Sequence, residues 1–209
     1  AFSIYNWFVE PVFTGKYPEK MAEWIKSKGA EPVVEPGDMD IIREPMDFLG
    51  LNFYGGNIVR HKPGNNYLDL EHVDLGYAKS DKGWFIYPEG LYKMLTWLTD
   101  NFGPIPIYIT ENGVCYNDEP GPDGRIRDDR RIAFLRDHIA ELGRAIESGV
   151  NLKGYLTWSL MDNFEWAFGY TCRFGLVHVD YNTLKRTPKD SFYWYKKIIR
   201  NNWIELESR

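Results

Sequence analysis

In two segments of the chain, an apolar run is followed by side chains that can do chemistry on a sugar. Residues 107–113 read Ile-Tyr-Ile-Thr-Glu-Asn-Gly and deliver the Glu111 carboxylate to a sharp turn. Residues 158–166 read Trp-Ser-Leu-Met-Asp-Asn-Phe-Glu-Trp and place an acid beside two indoles. A carboxylate can attack or protonate at an anomeric centre, and flat aromatic rings cover the apolar faces of sugars. The two segments together indicate chemistry on a glycosidic bond.

The elements that must position these residues alternate between strand and helix. Short apolar runs predict strands over 47–54, 106–110 and 153–159. The last two are almost wholly apolar, which is typical of parallel strands covered on both faces. Amphipathic spacing with terminal Pro and Gly residues predicts helices over 17–29, 88–103, 128–149 and from 188 through 199. This alternation predicts an α/β fold, and the long strand-to-helix loops are where α/β barrels place their active sites.

The number of strands bears on whether the chain forms a whole barrel. A chain of 209 residues is long enough to bury a core of its own. A TIM barrel, however, needs eight strands and about 250 residues, and three parallel strands leave two open sheet edges. The sequence therefore predicts part of a barrel.

The composition and charge of the chain argue against some classes of partner and indicate a cellular compartment. The net charge of −5 and the lack of a long apolar run argue against nucleic-acid and membrane partners. The N-terminal residues lack the features of a signal peptide, so we expect a cytoplasmic protein. Cys115 and Cys172 are expected to be free thiols, with a bridge between them as the alternative. The histidines show no metal-ligand spacing, and we expect neither a metal nor an organic cofactor.

Residues 107–113 and 158–166, together with Leu-Asn-Phe-Tyr-Gly at 51–55, closely resemble the C-terminal part of the family 1 glycoside hydrolases, the β-glucosidase family. The resemblance covers essentially the whole chain. It implies a TIM (β/α)8 barrel to which this chain supplies about strands six to eight and their helices, with residues 1–209 as the C-terminal portion of one domain. It also implies a retaining β-glycosidase, similar to β-glucosidases, that hydrolyses unphosphorylated terminal β-D-glycosides or oligosaccharides.

The resemblance implies catalytic roles for three residues. Glu111 matches the nucleophile that forms a covalent glycosyl-enzyme; taken alone, it would be an exposed acid before an Asn-Gly turn. Asn52 and Tyr54 match a pair that orients the nucleophile, with the tyrosine hydroxyl donating to its carboxylate. A buried strand end with an Asn cap is the alternative for this pair.

A sugar pocket is implied by five further positions. By the resemblance, Trp158 stacks on the sugar ring, Glu165 accepts hydrogen bonds from two hydroxyls, and Trp166 donates its indole N–H. Phe174 matches a pocket-lining aromatic, and Trp84 matches a tryptophan beside the leaving group. Core packing is the alternative for each aromatic and is nearly as good for Trp84. The Glu165 carboxylate would repel a phosphorylated sugar.

The acid/base partner of the nucleophile is not found in this sequence. The family carries it in a Thr-x-Asn-Glu-Pro segment, and none of the Glu-Pro pairs here follows an Asn or ends an apolar strand run. We therefore expect the N-terminal half of the same barrel to be a partner of this chain, as a second polypeptide or as a part cleaved or left out. The alternatives are a non-catalytic sugar-binding paralogue and an inactive barrel fragment. Preference among glucosides, galactosides and fucosides stays open.

Overall fold

The computed structural model describes residues 5–66 and 68–202, and the chain divides after residue 47 into two units. The described part of the first unit holds three helices: α1 (Asn6–Thr14), α2 (Glu19–Ser27) and α3 (Asp38–Ile42). Helix α2 confirms the prediction over 17–29, with Glu19 in its first turn. Helices α1 and α3 were not predicted, because α1 contains Pro11 and α3 is too short to show a helical period.

The second unit is built on a three-stranded parallel sheet. Its strands are β1 (Leu49–Asn52), β4 (Ile107–Asn112) and β5 (Leu152–Thr157), paired in the order β1-β4-β5. The predicted parallel strands are thus confirmed, with shifted ends. Strand β4 extends beyond the predicted end at residue 110 because Glu111 still pairs with β1 and Asn112 with β5.

Helices cover the sheet and complete its core. They are α4 (Pro88–Phe102), α5 (Asp129–Glu147) and α6 (Asp190–Asn201), which confirms the three predicted helices of this region. The apolar stripe of α4 buries Leu91 and Leu95 against Ile107 and Ile109 of β4. On α5, Phe134 and Leu135 lie in a second apolar cluster, against which side chains of α6 pack. None of the described helices is long and apolar enough to cross a membrane.

The long loops contain two antiparallel hairpins that were not predicted. The first pairs β2 (Val59–His61) with β3 (Leu70–His72), and the second pairs β6 (Val177–Val179) with β7 (Arg186–Pro188). Each strand has three residues, which is too short for the alternation that identifies a strand in sequence. A single 3-10 turn, Trp166–Phe168, lies between β5 and β6.

Gly113 allows the ends of β4 and β5 to meet. A Cβ atom at this position would lie 1.8 Å from the carbonyl oxygen of Trp158, while the Trp158 N–H donates to the Asn112 carbonyl at 2.9 Å. The two backbones can approach this closely only because residue 113 has no side chain.

Gly113→Ala is therefore expected to lower the free energy of unfolding by roughly 2–4 kcal/mol, because a methyl group must force the two strand ends apart. Gly143→Ala is the matched control: Gly143 lies inside α5, and nothing lies within 4 Å of its Cβ position. The control should raise the free energy of unfolding by about 0.5–1 kcal/mol. Urea unfolding of both variants measures the difference, and equal stabilities would contradict the close-approach argument.

Candidate active site

The C-terminal ends of the three parallel strands bring Tyr54 and Glu111 together. Tyr54 follows β1, Glu111 lies near the end of β4, and the tyrosine hydroxyl donates to Oε2 of Glu111 at 2.6 Å. Burial, followed by the hydrogen bond and charge of Glu111, raises the pKa of Tyr54 well above its ordinary value. The hydroxyl therefore stays protonated and acts as the donor in this pair.

The Asn52 side chain contacts Thr110, whereas that of Tyr54 contacts Glu111. Its side-chain carbonyl accepts a hydrogen bond from the Thr110 hydroxyl at 2.7 Å. Asn52 and Glu111 are register partners because β4 carries Thr110 as an extra residue at this point of the ladder. The structure therefore places Asn52 beside β4, with its amide oxygen bound to Thr110, one residue before Glu111.

Asn112 supports Glu111 from behind and was missed in the sequence. Its fully buried amide donates to the Phe53 carbonyl at 2.7 Å and accepts from the Tyr155 hydroxyl at 2.8 Å. One side chain thus ties the chain just after β1 and strand β5 to the residue next to Glu111. In the sequence, Asn112 is indistinguishable from an ordinary turn asparagine before glycine.

Three aromatic rings form one wall of the site. Tyr54 lies edge-on to Trp84 at 5.8 Å and to Phe174 at 5.9 Å between ring centroids, and Trp84 and Phe174 are 5.9 Å apart. Phe174 is only 2% exposed, so it packs beneath the other two rings. Trp84 is partly open to solvent and also contacts Phe168.

Trp158 and Glu165 form a second polar contact at this edge. The Trp158 indole N–H donates to Oε2 of Glu165 at 3.4 Å, and the Glu165 charge contributes to the raised pKa of Tyr54. The carboxylates of Glu111 and Glu165 therefore both act on Tyr54.

Trp166 differs from the other site candidates, because its side chain is 84% exposed at the start of the 3-10 turn. The peptide bond between Trp158 and Ser159 is cis.

A buried arginine holds the loops that carry these residues. Arg131 of α5 is 2% exposed and pairs with Asp128 at 3.0 Å. Its guanidinium also donates to backbone carbonyls of the loop after β4 and of the segment before β6. Those carbonyls belong to Val114, Tyr116, Arg173 and Phe174. The only sequence signal for this role is an acid three residues before a basic residue in the first turn of a helix.

The buried carboxylate of Asp162, like the guanidinium of Arg131, holds loop segments in place. It accepts hydrogen bonds from the backbone N–H groups of Gly175 and Val179 and pairs with Arg173 at 2.7 Å and Lys189 at 3.2 Å. Burial, and next the charge of Arg131, lower the pKa of Lys189 to about 8. The chain from β5 to α6 is thus folded around a compensated charge cluster. Within the described residues, no group of three His, Cys, Asp or Glu side chains could hold a metal ion.

Comparison with known proteins agrees with this geometry. Residues 1–204 match the family described as Glycosyl hydrolase family 1. The chain belongs to glycosyl hydrolase family 1. Over 199 residues it is 44% identical to Beta-glucosidase A of Acetivibrio thermocellus, covering 94% of this chain and 44% of that protein. It is 36% identical over 212 residues to Beta-glucosidase 26 of Oryza sativa subsp. japonica, covering 93% of this chain and 40% of that protein.

The structural match has the same extent. A β-glucosidase from Thermotoga maritima, solved in complex with castanospermine, superposes with a TM-score of 0.90 at 43% identity. The superposition covers 97% of this chain and 45% of that chain. The family 1 chain therefore spans less than half the length of the relatives it matches. Because these relatives are TIM barrels, its parallel sheet and helices are part of a (β/α)8 barrel.

Arg131 and its neighbour Arg130 offer a matched test of the loop support. Arg131→Lys should lower the free energy of unfolding by about 3–5 kcal/mol, because a lysine cannot reach the carbonyls that surround the buried guanidinium. Arg130→Lys should cost at most about 1 kcal/mol, because Arg130 pairs with Asp81 while 55% exposed. Chemical denaturation of both variants measures the difference. Similar losses would show that Arg131 is not the main support of these loops.

Proposed function

We propose that this chain carries the nucleophile of a retaining β-glycosidase of the β-glucosidase type. In this proposal β1, β4 and β5 are strands six, seven and eight of the barrel, and residues 1–209 are the C-terminal portion of a single domain. The observation that carries the proposal is the 2.6 Å hydrogen bond from Tyr54 to Glu111 at the strand ends. A protein that only binds sugar has no need of a carboxylate anchored in this way. The two unbridged cysteines favour a cytoplasmic location.

The reaction follows from the Glu111–Tyr54 pair. The Tyr54 hydroxyl holds Oε2 of Glu111, which leaves the second oxygen to attack the anomeric carbon while the glycosidic bond breaks. The same hydrogen bond fixes the direction in which the carboxylate points before the attack. The products of this step are a glycosyl ester on Glu111 and a leaving group that takes its proton from a separate general acid. Water then hydrolyses the ester and restores the carboxylate.

The remaining site residues recognise the substrate. Trp158 covers the apolar face of the sugar ring, and Glu165 accepts hydrogen bonds from two sugar hydroxyls while its charge repels a phosphorylated sugar. Trp166 donates its indole N–H to a further hydroxyl. Trp84 lies on the leaving-group side, and Phe174 supports it and Tyr54 from below. Asn52 positions the Glu111 segment through Thr110.

The general acid must come from elsewhere, because retaining chemistry needs a second carboxyl group about 5–5.5 Å from the nucleophile. We assign it to the N-terminal half of the barrel. In the described residues β1 and β5 each have one unpaired edge, and exposed apolar side chains follow β5. A cleft of about 620 Å³ lies beside them, lined by Leu160, Met161 and Phe164 among others. Such edges and apolar surface are suited to burial against further barrel strands.

Complementation tests the proposed function. The chain combined with the N-terminal portion of a family 1 relative should hydrolyse 4-nitrophenyl β-D-glucoside, and Glu111→Ala should lower this activity by at least ~10³-fold. Azide should partly restore the turnover of Glu111→Ala as an external nucleophile, whereas Glu147→Ala at the exposed end of α5 should behave as the unmodified chain. A folded complex without activity would favour a sugar-binding paralogue. Activity of the chain alone would show that it contains its own acid.

Tyr54→Phe separates orientation of the nucleophile from substrate binding. Loss of a hydrogen bond to a charged group, about 1.5–3 kcal/mol, should lower kcat roughly 10- to 100-fold with a smaller change in KM. Tyr92→Phe is the control, because the Tyr92 hydroxyl is hydrogen-bonded to Ser148, which follows α5. The rate at which a 2-fluoro glycoside labels the Glu111 peptide, followed by mass spectrometry, should fall in parallel. An unchanged labelling rate would remove Tyr54 from the mechanism.

A further inference from the structure

The two cysteines lie together directly beneath the candidate active site. Cys115 follows β4 and Cys172 precedes β6, and both are free thiols with almost no exposed surface. They form one buried cluster with Phe174, and Tyr54 and Trp158 pack against this cluster. The pair therefore lies one side chain below the strand ends that carry Glu111.

The backbone holds the two cysteines side by side. The Tyr116 N–H donates to the Arg173 carbonyl at 3.2 Å, and the Arg173 N–H donates to the Asn117 side chain at 3.1 Å. The Asn117 amide in turn donates to the Thr171 carbonyl at 2.9 Å. The residues that flank both cysteines are thus joined across the two segments. The Cys115 thiol donates to the side-chain carbonyl of Asn117 at 3.7 Å, which ties it to the same network.

The surroundings of the pair favour one thiolate. Hydrogen bonding from Cys172 lowers the pKa of the Cys115 thiol, assisted by the Arg173 N–H and the charges of Lys82 and Arg131, while burial opposes the shift. The same hydrogen bond, together with burial, raises the pKa of Cys172. Cys115 is therefore the more nucleophilic sulfur, and Cys172 keeps its proton. The two nearby positive charges favour the thiolate form of Cys115.

We propose that Cys115 and Cys172 are a reversible oxidation site that closes to an intrachain disulfide on exposure to hydrogen peroxide. The Cys115 thiolate attacks one peroxide oxygen, the O–O bond breaks, and hydroxide leaves, which converts Cys115 to a sulfenic acid. The Cys172 sulfur then attacks the Cys115 sulfur and forms the S–S bond as the second oxygen leaves as water. Two thiols are oxidised by two electrons in total, and one peroxide is reduced to two waters.

Closure would link the segment after the nucleophile strand to the segment that carries Phe174. The sulfur atoms must move to bonding distance, about 2.05 Å, inside a cluster on which Tyr54 and Trp158 pack. The oxidation state of the pair is thereby coupled to the packing beneath Glu111. The bond itself forms without a sugar substrate, so this site can be tested independently of the proposed function.

The test treats the folded chain with hydrogen peroxide at low protein concentration, blocks the remaining thiols, and maps tryptic peptides without reduction. The expected result is a linked pair of peptides containing Cys115 and Cys172, with loss of two hydrogens from the intact mass and full reversal by dithiothreitol. The midpoint of thermal unfolding should rise by about 5–10 °C on oxidation. Recovery of both thiols unmodified, or links only between chains, would overturn the proposal.

Three variants and one control variant show whether the folded environment drives the reaction. In Cys172→Ser, dimedone should trap a sulfenic acid on Cys115; in Cys115→Ser, Cys172 should react several-fold more slowly. Lys82→Met should slow disulfide formation roughly two- to five-fold, because a nearby positive charge is lost, whereas Lys93→Met on α4 should leave the rate unchanged. If Lys82→Met has no effect and the two single-cysteine variants react equally, oxidation proceeds through the unfolded chain and the proposed site is wrong.

Discussion

The site depends on the ion pair and the hydrogen bonds that the buried guanidinium of Arg131 makes. A cation shielded from water is tolerated only when hydrogen-bond acceptors surround it, and here they come from Asp128 and from two loops that are distant in sequence. If either loop moved away, the charge would lose part of its compensation. The loop after β4 and the segment before β6 are therefore held at one end of helix α5. Asp162 anchors the second of these segments from its other side.

On this support, the parallel sheet brings the reactive side chains to one edge. Parallel strands present all their C-terminal ends at the same side, which is why Tyr54 and Glu111 meet although they are 57 residues apart. The extra residue of β4, Thr110, changes the register just before this point, so Glu111 lies level with Asn52. Local irregularities of this kind re-aim side chains next to functional sites. Gly113 then lets β5 approach closely enough to place Trp158 beside them.

The same geometry underlies the proposal that the chain carries one side of a glycosidase site. Its strand ends bring together the Glu111 carboxylate, the Tyr54 hydroxyl that donates to it, and further aromatic and acidic side chains. The sheet edges of the described residues leave room for further strands, and the relatives of this chain are more than twice as long as the region that it matches. In the proposed covalent mechanism the two carboxyl groups lie on different strands of a barrel, so one part of the fold can carry the nucleophile without its acid.

The sequence by itself determined most of the elements and the family. The apolar runs and amphipathic stripes predicted the three parallel strands and their helices, because burial imposes a period on each element. Family-specific motifs identified Glu111, Tyr54 and the sugar-facing candidates. Only the tertiary structure decided the supports: Asn112, Arg131 and Asp162 look like ordinary polar residues until distant carbonyls and amides converge on them. It also showed the two hairpins, whose three-residue strands are too short for a sequence pattern, the exposure of Trp166, and the proximity of Cys115 to Cys172.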